Sequence, residues 1–498
     1  MEGREIKNHQ IKINLPGGIV SVGDLSVILE ILENAGIAHV RFGTRQQLYF
    51  LANTTQLEDI EHAFLISDTD FETDTDQHPN IVSSYVAEDL FTSSNWLREG
   101  VYKDILDTFN YAPGLKINLI DDSQTLVPLF SGNLNFISSD IGNYWHLYLR
   151  FPKTNHLYQW SSLVYSEDIA VLSEIIERTI LSKKDIYDDA TEINGQQLET
   201  DVNAAGNFLF QAPLSPLKLP DFQVPYYEGF NKYEEKYWLG IYRRNELFPV
   251  AFLKDLCHIC RKTRIAQLYT TPWKSIIIKG VTSADRKLWN TTLDKNRINV
   301  RHASNELNWQ TEDLCEEGLQ LKYELTRAFN EADLRTFKLC FAIKINPKSG
   351  LFGSVIIRKQ NQLTTDSQNT EPKFDVLHTT DFNPNSKHYH TFAKDICKSD
   401  LFLTITHLCE HYYQLQTQAA GTQTDSHYEL SKPIEPETTY LQQCPHCLSI
   451  YDQTWGDEIG GIPAGTPFSA LPNDYSCPTC ETPITEFTPI VKETLNTL

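Results

Sequence analysis

Long apolar runs are missing from this 498-residue chain. No stretch approaches the roughly 20 apolar residues of a membrane-spanning helix, and residues 1–15 lack the apolar block of a secretory signal. The chain is therefore expected to act in the cytoplasm, with no membrane span. Basic charge is short as well: 43 Lys and Arg face 65 Asp and Glu, a net −22 with no local basic patch, which excludes nucleic acid and anionic membranes as partners. Cysteine is sparse. Ten thiols are too few for a disulfide scaffold of this size, so they are read as free thiols or metal ligands. Also lacking are a Walker loop, a nucleophile elbow and a G-x-G-x-x-G turn after a strand. What remains is ordinary globular composition, 41% hydrophobic and 11% aromatic, sufficient for a sizeable core shared among several domains.

The charge is unevenly spread. From Pro433 onward nine carboxylates face only Lys492, giving −8 there and −14 over the rest, so the tail is a separate acidic object. Residues 418–439 carry small and polar side chains, two prolines and no apolar periodicity, the pattern of an exposed linker. A weaker break lies at residues 211–227, where Pro213, Pro216, Pro220 and Pro225 interrupt any regular element.

Between these breaks the chain reads as duplicated. Residues 11–50 give a strand, a helix over 24–34 with Leu25, Ile28, Leu29 and Leu32 on one face, then a strand pair. Shifted by 227, the pattern recurs as Leu239 to Tyr242, a helix from Ala251 with Phe252, Leu256 and Ile259, and strands in 265–279; Phe42-x-Thr44 then falls on Tyr269-x-Thr271. Candidate strands at 145–151 and 354–358 and helices at 169–182 and 314–329 follow the two copies. The expected layout is 1–70 and 228–285 as half-domains, 71–212 and 286–417 as α/β domains, a linker at 418–439 and a small domain at 440–490.

Cys444-Pro-His-Cys447 and Cys477-Pro-Thr-Cys480 form two C-x2-C knuckles 29 residues apart, able to place four thiolates around one metal. Zinc ribbons use the same ligands but typically at about 15–20 residues between pairs. Between the knuckles run Tyr451-Asp452, Gly456-Asp457, Gly461-Ile462, Gly465-Thr466-x-Phe468, Leu471-Pro472 and Asp474-Tyr475. That order resembles rubredoxin and implies one iron on Cys444, Cys447, Cys477 and Cys480, a core of Tyr451, Phe468 and Tyr475, and one-electron transfer with a redox partner protein. The chain departs from the family's pattern where glycine normally follows each knuckle: Leu448 and Glu481 stand there, where a non-glycine is expected to meet an uncommon φ and to change the packing around the sulfurs. A structural zinc ribbon is the competing reading.

The body carries Leu15-Pro16-Gly17-Gly18, Gly23-Asp24, Arg41-x-x-Thr44-Arg45-Gln46, Pro113-Gly114-Leu115-Lys116 and Thr271-Pro272-Trp273-Lys274. With the duplication, these resemble the ferredoxin-like half-domains of the sirohaem-dependent nitrite and sulfite reductases. The resemblance implies an α+β, pseudo-duplicated fold, and a cradle of Arg41, Thr44, Arg45, Gln46 and Lys116 for tetrapyrrole carboxylates or a small anion. The competing reading of Arg41 and Arg45 is a solvated sheet face. The family's cluster cysteines are absent: Asn346 and Gly350 hold the spacing of a Cys-Pro-x-x-Cys, so a [4Fe–4S] cluster is not expected and sirohaem is doubtful. Lys12 is the nearest replacement for the family's pocket arginine, and Gly114 stands in place of the first of its paired lysines.

Two further motifs read as ordinary structure. Cys257 and Cys260, at i, i+3 on the second-copy helix, are expected to be buried thiols. His407-Leu-Cys-Glu410-His411 matches a zinc-peptidase pattern by five residues alone, with no third ligand in view. Three functional readings stay open: an electron carrier tethered to a reductase-like body, a tetrapyrrole-dependent oxidoreductase fed by the tail, and a non-catalytic scaffold with structural zinc.

Overall fold

The computed structural model describes residues 7–93, 96–152, 157–187, 194–336, 338–346, 350–360, 371–386, 388–422, 440–447, 449–457 and 460–491. The chain divides into two compact units, Met1–Gln418 and Ala419–Leu498. It is α+β throughout.

In the first half-domain, β1 (Asn8–Ile13) runs into a tight turn at Pro16–Gly18 and β2 (Ile19–Ser21). Ser21 then caps α1 (Val22–Asn34), its side chain accepting the Asp24 N–H. Leu25, Ile28, Leu29 and Leu32 are buried along one face, as the spacing requires. β3 (His39–Phe42), β4 (Leu48–Asn53), α2 (Thr54–Ile66) and β5 (Glu72–Thr73) complete the unit. The first α/β domain places β6 (Val82–Ser83), β7 (Ile117–Ile120) and β8 (Leu134–Ser138) in parallel, then β9 (Tyr144–Arg150) antiparallel. β10 (Leu157–Gln159), β11 (Leu163–Tyr165) and β12 (Phe210–Gln211) extend the sheet. Its helices are α3 (Glu99–Asp107), α4 (Ile169–Ser182), α5 (Lys184–Tyr187) and α6 (Gly195–Ala205).

The second copy repeats the plan. β13 (Gly229–Tyr233), β14 (Lys236–Ile241), β15 (Phe248–Pro249), α7 (Val250–Lys262), β16 (Gln267–Thr270), β17 (Ile276–Val281) and α8 (Arg286–Lys295) precede a second α/β domain. There α9 (Ser304–Leu307) and α10 (Glu316–Glu331) flank β18 (Trp309–Thr311); β18, β19 (Phe341–Lys344) and β20 (Val355–Lys359) are parallel, and β21 (Lys373–Thr379) and β22 (Tyr389–Cys397) antiparallel. α11 (Leu401–Thr422) follows, running past residue 418; residues 423–439 of the expected linker lie outside the described residues.

The copies are offset by 228, one more than the sequence pattern suggested: the pair Ile11↔Phe50 recurs as Leu239↔Ile278. Phe42 therefore corresponds to Thr270 and Gln46 to Lys274. Identity is too low to fix a single-residue slip, but backbone conformation fixes it. Gly18 (φ 74), Gly36 (φ 75) and Gln46 (φ 64) in the first copy match Glu246 (φ 58), Arg264 (φ 60) and Lys274 (φ 56) in the second. The copies also exchange strands. β2 pairs with β16 in the second sheet, while β15 pairs with β3 in the first. α1 packs on α7, so Ile28, Leu29 and Leu32 share one apolar core with Leu253, Leu256 and Cys260. Cys257 and Cys260 are buried there as expected, with burial pushing both thiols up.

Candidate metal centre and a central polar cavity

In the C-terminal unit, β23 (Tyr440–Gln443) pairs with β24 (Ile450–Tyr451) and β25 (Thr488–Val491), and each cysteine pair closes a turn. Cys444 N–H donates to Ser449 O at 2.8 Å, and Cys477 N–H to Thr482 O at 2.8 Å. The two knuckles face each other, with Sγ separations of 3.5 Å for Cys444–Cys480 and 3.4 Å for Cys447–Cys477, and all four sulfurs within 4.8 Å of one another. Cys444 and Cys477 are buried, Cys447 is half-buried and Cys480 exposed, so one edge of the site opens to solvent. Burial opposes ionisation of Cys444, but N–H groups of Cys447 and His446 and the Thr482 hydroxyl hold its thiol at about 6. Ser449 lowers Cys447 in the same way, through its hydroxyl and backbone. Tyr451, Ile462, Leu471 and Tyr475 form the core beneath, joined by Phe468 and by Phe487, which the sequence reading missed because it lies past the second knuckle. Glu481 takes φ 62, the strained conformation expected where glycine is lacking; Leu448 lies outside the described residues.

The five residues assigned to a cradle in the body separate in the structure. Thr44, Arg45 and Lys116 line a cavity of about 250 Å³ where the half-domains meet both α/β domains; Arg41 and Gln46 do not. Arg41 Nη2 is 2.5 Å from Glu316 Oε1, an ion pair with a largely exposed partner. Gln46 is fully buried, and its amide bonds Ser83 O, Thr270 O and Ser83 N–H, which ties β6 to the second copy. Arg45 spends its guanidinium on Asn80 O, Ile117 O and Asn118 Oδ1 at 2.7–3.2 Å. Burial lowers it to about 10, with Asp76 opposing. Thr44 donates its N–H and Oγ1 to Asp313. Only the Lys116 ammonium makes no hydrogen bond among the described residues; burial and the Arg45 charge lower it, while Asp76 raises it.

Sequence reasoning missed Arg150, Asp76, Glu312 and Asp313 on the cavity wall, because none belongs to a short motif. Lys12 does not face this cavity: it is buried against Glu72 and Asp76, at 2.9 and 2.5 Å. Gly114 N–H caps Glu177 instead of presenting a charge. Among the described residues the four cysteines are the one group whose ligand atoms converge as a metal site, so His407 and His411 on α11 make none. No helix there is long and apolar enough to cross a membrane.

The family model described as rubredoxin matches residues 441–487. The tail is 35% identical over 63 residues to rubredoxin-1 of Chlorobaculum tepidum, covering 13% of this chain and 91% of that protein. Through its C-terminal domain, the chain belongs to the rubredoxin family. It is also 42% identical over 45 residues to the probable rubredoxin HupI of Bradyrhizobium diazoefficiens, covering 9% of this chain and 65% of that one. A third match, 50% over 38 residues, is the high molecular weight rubredoxin of Moorella thermoacetica, covering 8% and 17%. Less than two thirds of those last two relatives is therefore represented here. The fold of the chain is similar to that of Mycobacterium tuberculosis NirA, with a TM-score of 0.58 at 13% identity over 80% of each chain. A rubredoxin domain is thus joined to a body with a NirA-like fold.

The rubredoxin site fits an iron ion: four converging sulfurs are the donor set a mononuclear iron needs. The central cavity does not fit sirohaem. It is smaller than the roughly 300–1,000 Å³ of ordinary cofactor and drug sites. Asp76, Glu312 and Asp313 on its wall offset Arg45, Lys116 and Arg150, so the lining has no net positive charge to hold a polycarboxylate. Nor do the residues in the cluster region fit iron and sulfide: Asn346 donates its backbone and side-chain N–H to Glu312, and Cys315 caps α10.

Proposed function

We propose that this protein carries single electrons on one iron held by Cys444, Cys447, Cys477 and Cys480, exchanged with a redox partner protein, while the NirA-like body is a degenerate reductase module. The convergence of four sulfurs within 4.8 Å in a rubredoxin-family domain supports this reading above all. When bound, iron in such a site supplies a one-electron couple with little change of geometry. The chain's own part is to hold four thiolates, shield Cys444 and Cys477, and expose the Cys480 edge where a partner would approach. All ten cysteines are free thiols, which suits the cytoplasm. The test is replacement of each ligand by serine in the full chain. Each variant is expected to lose iron and the thiolate-to-iron absorption; a Cys447→Ser protein with full iron and an unchanged spectrum would refute the assignment.

A second reading, anion binding by the body, is favoured by Lys116 and Arg150: both line the cavity, and neither has a carboxylate partner among the described residues. Isothermal titration with nitrite and phosphate checks it; heats lost in Lys116→Met support it, and no heat in the unaltered protein rejects it.

A further inference from the structure

The cavity wall of the body is closed by the chain's own charges. Glu312 follows β18 and is 9% exposed; its carboxylate accepts Asn346 N–H at 2.9 Å, Asn346 Nδ2–H at 2.8 Å and Ile345 N–H at 3.3 Å. These donors sit just past the end of the parallel strand β19, at Asn346, where the resemblance to the nitrite and sulfite reductases implies a cluster cysteine. Converging backbone N–H groups of this kind form a nest for an anion, and here a side chain of the same protein fills it. Beside it, buried Lys274, the counterpart of Gln46, donates to both oxygens of Glu246 at 2.9–3.0 Å and to Glu312 O at 3.0 Å. Its Nζ also lies 3.6 Å from Asp313, which Thr44 of the first copy holds in place. The network thus ties both halves together with paired charges. Neither Glu312 nor Lys274 is explained by electron transfer in the tail.

We infer that Glu312 is a tethered anion standing in a prosthetic-group seat: the body takes up neither a tetrapyrrole nor an iron–sulfur cluster, and electrons held by the tail leave the chain for another molecule. The last clause rests on the proposed function; the first two do not. The donors released by Glu312→Ala have room for a carboxylate the size of formate, so the variant should melt several degrees below the parent and regain most of the loss in formate, but not in sodium chloride of equal ionic strength. Glu312→Gln, which keeps one acceptor, should melt between the two and respond less to formate. Full-length protein incubated with haemin or sirohaem should then elute from gel filtration with no Soret band.

A stoichiometric Soret band on the unaltered protein would overturn the inference whatever metal the tail holds. So would a Glu312→Ala protein melting like the parent, or one that formate does not restore. Should Glu312→Ala fail to fold, the Glu312→Gln and tetrapyrrole arms decide. Zinc in the tail with these results intact would remove only the electron-transfer clause.

Discussion

Arg45 shows how far a residue's chemistry was visible in the sequence. An arginine beside Thr44 and Gln46 was legible as part of a polar cradle, and it does line the cavity. Its partners were not legible: Asn80 O and Ile117 O are carbonyls from distant segments, and they hold the guanidinium as a strut between domains. Arg45→Ala would leave these buried acceptors unpaired, so it should cost about 2–3 kcal/mol in a urea melt while leaving the iron content of the tail untouched. Lys279 gives a pH test. Burial lowers its ammonium to about 8 from 10.5, against Glu88, Asp89 and Glu99, with Tyr85 and Tyr269 below it. Between those values the unfolded chain binds more protons, so the lysine's unfavourable contribution is full below pH 8 and fades as pH rises to 10.5. Lys279→Met should therefore reduce the rise in stability across that window by up to about 1.4 kcal/mol per pH unit, measured as the difference between parent and variant melts.

At the scale of elements, helices were the readily legible part. The face of α1 carries Leu25, Ile28, Leu29 and Leu32, and α4 spans the residues its periodicity indicated. Strand exchange was not legible, because β2 and β15 are three and two residues long and their partners lie in the opposite copy. The exchange makes the half-domains one cooperative body. Proline at Leu268, within a strand paired on both sides, breaks the ladder to β2. Leu268→Pro should cost about 3 kcal/mol or more. It should lower the melting of both half-domains in one transition; hydrogen exchange confined to the second copy would contradict the shared core.

For the whole molecule, the acidic tail was set apart by its charge and knuckle spacing, and the structure gives it its own core of Tyr451, Ile462, Leu471 and Tyr475. Chelating the metal should therefore lower only the thermal transition of the tail, as seen by calorimetry, and leave that of the body in place. What the sequence could not convey was the interior of the body: loops from four sheets bring Thr44, Lys116, Pro272 and Asp313 to one small cavity, and no short motif records that junction.

The most direct test of the account is a reductive titration of the full-length protein, purified from iron-supplied cells and followed by visible absorption with metal analysis. One iron per chain, with thiolate-to-iron bands bleached by one electron, is the expected result; a colourless zinc protein, or uptake of more than one electron per chain, would contradict it.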